Sequence, residues 1–273
     1  MPNLKNQKIK AVIAYDGTDF FGWQKQPEAI SISSTLEQTF NKVFGYQINL
    51  IGASRTDTGV HALEQAAMFK SEICDLDLNI IKSAWNNMLP KSILIRDLQV
   101  VPDEFHACFN VAQKTYYYHL FLKRPLPFVA RYGWLYKFMD QVDLGKFENA
   151  LNLYVGQHDF GSFCKVDADD KALLLRQGFA GQAGGHGKNT VRTIDSIKLE
   201  RFDRFGVLRV TVKGPGFLRF QIRRMVGYAI DVARRKNLSV NYLKTLLDNP
   251  DPRQTLLKAE ACGLCLRKVV YKK

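Results

Sequence analysis

The sequence predicts an α+β fold, and three observations carry that prediction. Runs with strand alternation are interspersed with helix-period segments in no regular βαβ order, which argues against a doubly wound parallel sheet. The second half of the chain repeats the ingredients of the first. Between them stands the proline-bearing stretch KRPLPFVARYG, a natural crossover. Residues 1–122 and 123–273 are therefore expected to form two similar halves, meeting at a cleft wide enough for a large substrate.

In chain order, IKAVIAYDG reads as a strand running into a turn, and a helix follows at Ser34–Phe44, where Ser34 and Glu37 have capping-box spacing. INLIGA is a second strand, and QAAMFKSE and ILIRDLQVV are further strands around a helix near Asn79–Met88. TYYYHLFL closes the first half. In the second half, the periodicity predicts a helix over Leu144–Val155, strands at VRTIDSIKLE and VLRVTVKG, and a long helix over Phe217–Lys236. A short helix at Val240–Leu247 and a closing strand, LCLRKVVY, complete it. Residues 166–190 are polar and glycine-rich, which predicts a mobile surface loop. That loop fails the phosphate-loop pattern: Gly187-Lys188 precedes Asn189 rather than Ser or Thr, and Gln182 stands where the first glycine belongs.

A hydrophobic fraction of 46% in 273 residues supports a real core, but 39 Lys and Arg against 26 Asp and Glu leave a net charge of +13. Such a field favours a polyanionic partner, nucleic acid first. Ten basic residues against two acidic ones fall between Arg201 and Val240, interleaved with Phe202, Phe205, Phe217, Phe220 and Tyr228. Mixing of this kind suits a surface where phosphates meet packed structure, although a solvated basic face gives the same count. No run of apolar residues is long enough for a membrane span, and MPNLKNQKIK lacks the apolar stretch of a secretory signal. A cytoplasmic protein is expected. The five cysteines are an odd number, which argues for free thiols. Cys262 and Cys265 form a C-x-x-C without a second pair, inside a strand-like segment, so no metal is expected there.

The densest cluster of reactive side chains is GASRTDTGVHA, Gly52 to Ala62, with Arg55, Asp57 and His61 between apolar strands. By itself it makes a turn, with Asp57 and Thr58 as caps and Gly59 at a positive φ. The same stretch can hold a reactive carboxylate beside a cation and an imidazole.

Arg55-Thr56-Asp57-Thr58-Gly59-Val60-His61-Ala62 resembles the active-site motif of the tRNA pseudouridine synthase A family. Further blocks follow in that family's order: YDGTDFFGWQKQ (Tyr15 to Gln26), FHACFNVAQKTYYY (Phe105 to Tyr118), and Gly156 with His158 to Phe163, Gln157 being interposed. VRTI (Val191 to Ile194), GFLRFQIRRMVG (Gly216 to Gly227) and GLCLRKVVY (Gly263 to Tyr271) complete the set. The resemblance implies the pseudouridine synthase fold: two similar α/β-sandwich halves with mainly antiparallel sheets, flanking a basic cleft. It also implies that uridine in the anticodon arm of tRNA, at about positions 38–40, is flipped out and isomerised.

That reaction breaks the N1–C1′ bond, turns the uracil and joins its C5 to the same sugar carbon, so no cofactor, group donor or metal is required. By resemblance Asp57 is the essential carboxylate, as nucleophile or as base. Arg223 matches the arginine that pairs with it and keeps it ionised against burial. Tyr116 matches the tyrosine that packs on the target base, and Arg55 the arginine that fills the place of the extruded nucleotide. His61, Arg219 and Arg224 are expected on the RNA side, His61 in a structural or RNA-positioning role because the carboxylate already supplies the chemistry. Asp16 and Trp23 in the N-terminal block are left without a role. The expected partners are tRNA and a second copy of the chain in a homodimer. Two other readings stay open: a non-catalytic RNA-binding module that keeps the fold, and a homologous synthase acting at another RNA site.

Local geometry qualifies these assignments. On a strand Tyr116 and Tyr118 share one face and Tyr117 points away, so most of this aromatic content is core. At about 100° per residue, Leu218, Ile222, Met225, Val226, Ala229 and Ala233 make an apolar stripe, with Arg219, Arg223 and Arg234 on one edge. Arg223 can reach a cleft from that edge or lay its stem over apolar surface. The chain departs from the family at Ser54, usually glycine, at Thr58, usually alanine, and at Cys108, usually arginine. Arg219, often an aromatic position, can return the charge missing at Cys108.

Overall fold

Strand β1 (Lys8–Tyr15) alternates half-buried and fully buried residues along its whole length, the signature of a strand with one face on a core. The computed structural model describes residues 6–72, 77–165 and 189–272. These fall into two units divided by contacts rather than by chain order. The first holds the described residues up to His119, Pro125–Trp134 and those from Ala261 on; the second holds Leu120–Arg124 and Leu135–Glu260.

In the first unit, β1 pairs antiparallel with β3 (His61–Lys70) on one side and with β4 (Ile93–Val101) on the other. The short β2 (Ile51–Gly52) adds to β3. The last strand, β10 (Leu264–Tyr271), returns to lie parallel to β3 and antiparallel to β5 (Val111–Phe121). Among the described pairings in this unit only β3 with β10 is parallel, so the mainly antiparallel α+β prediction holds. Helices α1 (Ile32–Phe44) and α2 (Leu78–Met88) contact each other. Phe40, Phe69 and Trp85 meet edge-on in their core with ring centroids 4.8 to 6.0 Å apart, a favourable aromatic geometry. Trp85 also donates its indole N–H to the carbonyl of Leu36 at 3.2 Å.

The start of α1 corrects the sequence reading. Ser31, not Ser34, is the N-cap, and Ser34 closes the capping box by accepting from the Ser31 N–H at 3.0 Å. Glu37, one turn too late for the box, accepts the Leu50 N–H at 2.9 Å and ties the helix to the segment leading into β2.

The second unit contains α3 (Leu144–Asn152), the hairpin β8 (Ser196–Phe202) with β9 (Val207–Gly214), and the pair β6 (Gly156–Asp159) with β7 (Val191–Ile194). Its longest described helix, α4 (Gln221–Arg234), packs on α3, and α5 (Val240–Asp248) follows. The expected VRTIDSIKLE strand is divided at Asp195. The long helix begins four residues later than predicted because Phe220, at φ 65°, holds a left-handed turn ahead of it. The predicted apolar stripe of α4, Ile222, Met225, Val226, Ala229 and Ala233, is buried, and burial extends beyond it: every residue from Gln221 to Ala233 except Arg224 is buried. The predicted glycine-rich loop at 166–190 lies outside the described residues apart from Asn189 and Thr190. No helix among the described residues is long and apolar enough to cross a membrane.

Candidate active site

Past the end of β2 the segment from Ser54 to Asp57 belongs to no strand, yet its side chains alternate: Ser54 and Thr56 are buried, Arg55 is exposed, and Asp57 is half-buried. The sheet dictates this alternation. Tyr15 on β1 is paired with Ala62 on β3, Ala62 with Leu266 on β10, and Leu266 with Tyr116 on β5. Directly paired residues share a face, so two tyrosines stand in one row with a small residue and a leucine between them. Each receives a hydroxyl from the segment above. Tyr15 Oη lies 2.8 Å from Thr56 Oγ1, and Tyr116 Oη lies 2.8 Å from Ser54 Oγ. With its neighbours held inward, Arg55 is turned out, where it makes no hydrogen bond or ion pair with a described residue. Gln65 and Lys114 complete the cradle, donating to the carbonyls of Ser54 at 2.6 Å and Ala53 at 2.8 Å.

Burial raises the phenol of Tyr116 to about 12, with the Ser54 hydrogen bond opposing and the charge of Asp57 adding to the rise. Tyr116 and Asp57 are thus electrostatic neighbours within this unit. The strand-face expectation also holds, since Tyr116 and Tyr118 are buried and Tyr117 is half-exposed.

The N-terminal block braces the same segment from its other side. Trp23 N–H donates to the Thr56 carbonyl at 3.1 Å, and Gly59 N–H to the Phe20 carbonyl at 3.3 Å. Gly22 sits at φ 85°, and a Cβ there would lie 2.5 Å from the Thr56 carbonyl oxygen. A Cβ on Gly17 would lie 2.0 Å from the Val60 carbonyl oxygen. Gly59, as the turn reading anticipates, has a positive φ of 77°, and Val60 N–H closes the turn on the Asp57 carbonyl at 3.1 Å.

His61 begins β3 and is 95% buried, with both ring nitrogens engaged by protein. Nδ1 accepts the Gly17 N–H at 3.1 Å, while Nε2 lies 3.0 Å from the Arg131 carbonyl and so carries the proton. Burial holds its pKa below the usual value although Asp16, 3.1 Å away, pulls upward. Any influence of this imidazole on RNA therefore passes through the protein. Asp16 is a hub in its own right. Burial would raise its carboxyl, but hydrogen bonds from the Thr18 hydroxyl and N–H, from Tyr132 and from Arg131 outweigh that and bring it from 3.8 to about 2.

A carboxyl that titrates lower in the folded than in the unfolded chain stabilises the fold above its unfolded value, and that stability is lost as pH falls through the folded one. The stability supplied by Asp16 is therefore expected to be complete at neutral pH and to disappear between 3.8 and about 2. In urea unfolding across that window, Asp16→Asn should be the less stable protein at the upper end and converge on the wild type at the lower. A constant gap between the two would remove Asp16 as the cause.

The remaining expected residues lie in the second unit. Arg223 is buried in α4, and its Nε donates to the Ala259 carbonyl at 2.8 Å while the Ala259 N–H donates to the Arg223 carbonyl at 3.0 Å. Gly227 permits this, because a Cβ there would meet the Leu257 carbonyl oxygen at 2.2 Å. Arg224 donates to the Cys164 carbonyl. Arg219 is exposed and precedes α4, so it does not share a helix edge with Arg223. Both nevertheless converge with Lys258 on one ring, their charges lying 5.0, 5.4 and 4.4 Å from the centroid of Phe220. Such cation–π contacts hold like charges near one another.

A family model described as tRNA pseudouridine synthase matches residues 11–110 and 150–272. The chain belongs to the tRNA pseudouridine synthase family. Among its relatives, the tRNA pseudouridine synthase A of Thermodesulfovibrio yellowstonii is 33% identical over 274 residues, covering 96% of this chain and 99% of that one. The tRNA pseudouridine synthase A 1 of Desulfotalea psychrophila is 35% identical over 265 residues, with 97% and 100% covered. The tRNA pseudouridine synthase A 2 of Clostridium perfringens is 33% identical over 265 residues, again at 97% and 100%. As a member of this isomerase family the chain has the Asp57 segment, both bracing glycines and Arg219, Arg223 and Arg224 inside the matched ranges, whereas Tyr116 falls between them.

Asp57 stands in the densest cluster of reactive side chains in the sequence, but by itself that cluster reads as a turn, and the resemblance to the family motif is what singles the residue out. For Tyr15, Thr56, Gly17 and Gly22, which shape its surroundings, the only signal was their clustering in two short polar motifs, and their function as a cradle is a matter of tertiary contact.

Proposed function

We propose that this chain isomerises uridine to pseudouridine in the anticodon arm of tRNA, at about positions 38–40, on a base flipped out of the stack. The observation that carries the reading is the carboxylate of Asp57 on a segment whose backbone is held from both sides, in a chain of this family. Fixed backbone is what a catalytic carboxylate needs, since small displacements are costly in rate. Asp57 acts on the target nucleotide as nucleophile or base while the N1–C1′ bond breaks, the uracil turns and C5 bonds to C1′. The hydrogen on C5 then leaves as a proton and N1, freed from C1′, takes one up, so the product is an isomer of the substrate and no second substrate is consumed.

Arg223 pairs with Asp57 in this proposal and keeps it ionised. Tyr116 packs on the base, Arg55 takes the space the base vacates, and Arg219 and Arg224 face the RNA, with His61 supporting the segment from behind. The net charge of +13 supports a tRNA partner. A homodimer working in the cytoplasm, built of two halves that divide near residue 122, is the setting the family likeness supports.

The test is release of tritium from tRNA labelled at uracil C5, followed by mapping of the product nucleotide. Release with a product in the anticodon arm is the expected result. A product elsewhere would assign the chain to another RNA site, and RNA binding without release from any tRNA would leave a binding module.

A further inference from the structure

The most exposed large hydrophobic side chain among the described residues is Phe109, at 80%. It does not hang loose. Its ring lies on that of His106 with centroids 4.1 Å apart and 19° between planes, a parallel stack. His106 is itself fixed, because its Nδ1 accepts the Cys108 N–H at 3.1 Å and its own N–H donates to Asn110 Oδ1 at 2.6 Å. Asn110 N–H closes the turn on the His106 carbonyl at 3.2 Å. Beneath it, buried Ala107 accepts from the Tyr271 hydroxyl at 3.1 Å. The turn is also joined to the segment that leads to Asp57: Cys108 Sγ donates to the Gly52 carbonyl at 3.0 Å, beside the Lys114 contact on Ala53.

A large aromatic face presented to solvent on a preorganised turn, next to the reactive loop, suits a flat apolar ligand. Preorganisation lowers the ordering cost of binding. Unpaired bases stack on such faces with little regard to sequence. We propose that Phe109, backed by His106, is a stacking platform for an unpaired base of the RNA substrate beside the target uridine. This rests on the reading that the substrate is tRNA. No lysine or arginine lies between Phe105 and Gln113, so the platform's contribution to binding is independent of salt, unlike a phosphate contact.

The test is the affinity of an anticodon stem-loop RNA for wild type, Phe109→Ala, Phe109→Leu and Phe109→Tyr at two salt concentrations. Ala and Leu are expected to weaken binding about tenfold, Tyr to retain it, and the salt slope to stay unchanged. Melting temperature should not move, because the side chain is exposed. A stem-loop made abasic at the stacked nucleotide should cost the wild type the same factor and cost Phe109→Ala nothing further. Wild-type affinity in Phe109→Ala, full affinity in Phe109→Leu, or a loss of self-association at unchanged RNA affinity would each overturn the proposal. Absence of tritium release by the wild type would count against the enzymatic reading alone, since stacking is read from binding.

Discussion

Asp57→Ala is expected to abolish tritium release from C5-labelled tRNA, with kcat falling on the order of 10⁴-fold, while the protein stays folded and continues to bind RNA. The distinction between lost chemistry and lost structure follows from how the segment is held. Its anchors are the hydroxyl pairs of Ser54 with Tyr116 and Thr56 with Tyr15, the donors Gln65 and Lys114, and the backbone contacts from Phe20 and Trp23. None of these passes through the Asp57 carboxylate, and the turn is closed by the Asp57 backbone carbonyl, which accepts from Val60 N–H. Asp57→Asn keeps the shape and removes the charge, so it should be as inactive as alanine whether the carboxylate is nucleophile or base. Asp57→Glu keeps the charge but advances it by about one methylene, and a displacement near 1 Å can cost about 100-fold. Release within tenfold of the wild type by a folded Asp57→Ala protein would end the assignment of chemistry to this residue.

Much of this fold could be read because its strands are regular. β4, β9 and β10 coincide with the segments that alternation marks, since a strand packed on one face writes its burial into every second residue. Helix ends were less legible. The capping-box spacing of Ser34 with Glu37 is real in sequence, yet the Ser31 and Ser34 pair supplies the cap, because a serine hydroxyl can perform both halves of the exchange. The late start of α4 had a local signal in Pro215 and Gly216 that the charge pattern of the following residues obscured. The stripe read on that helix is buried throughout, but the opposite side is buried too, and there its arginines are accommodated by carbonyls such as those of Ala259 and Cys164.

The candidate site divides along the same line. Asp57, Arg55 and His61 stand out in sequence because reactive residue types cluster there. What holds them does not stand out, since it depends on pairings across long separations. β10 must return to separate β3 from β5 before Tyr15 and Tyr116 can fall in one row, and no local pattern specifies that return.

The strongest consequence of that scaffold falls on a residue with no side chain. Gly22→Ala is expected to lower the melting temperature by about 6–10 °C, a loss of about 3 kcal/mol, and to reduce kcat about 100-fold. Two costs combine. Gly22 occupies φ 85°, where an L-residue costs about 1–2 kcal/mol. The new Cβ would also lie 2.5 Å from the Thr56 carbonyl oxygen and 3.1 Å from the Asp57 carbonyl carbon, both backbone atoms that cannot swing aside. Relief of that contact has to move the segment carrying the carboxylate. Gly45, the C-cap of α1, separates the two costs: its φ is 78°, but a Cβ there meets nothing within 4 Å. Gly45→Ala should therefore show the conformational penalty and leave kcat unchanged. The excess destabilisation of Gly22→Ala over Gly45→Ala measures the contact with the Asp57 segment. If the two variants melt alike and both retain kcat, the N-terminal block does not brace the site, and the proximity of Gly22 to Thr56 has no catalytic consequence.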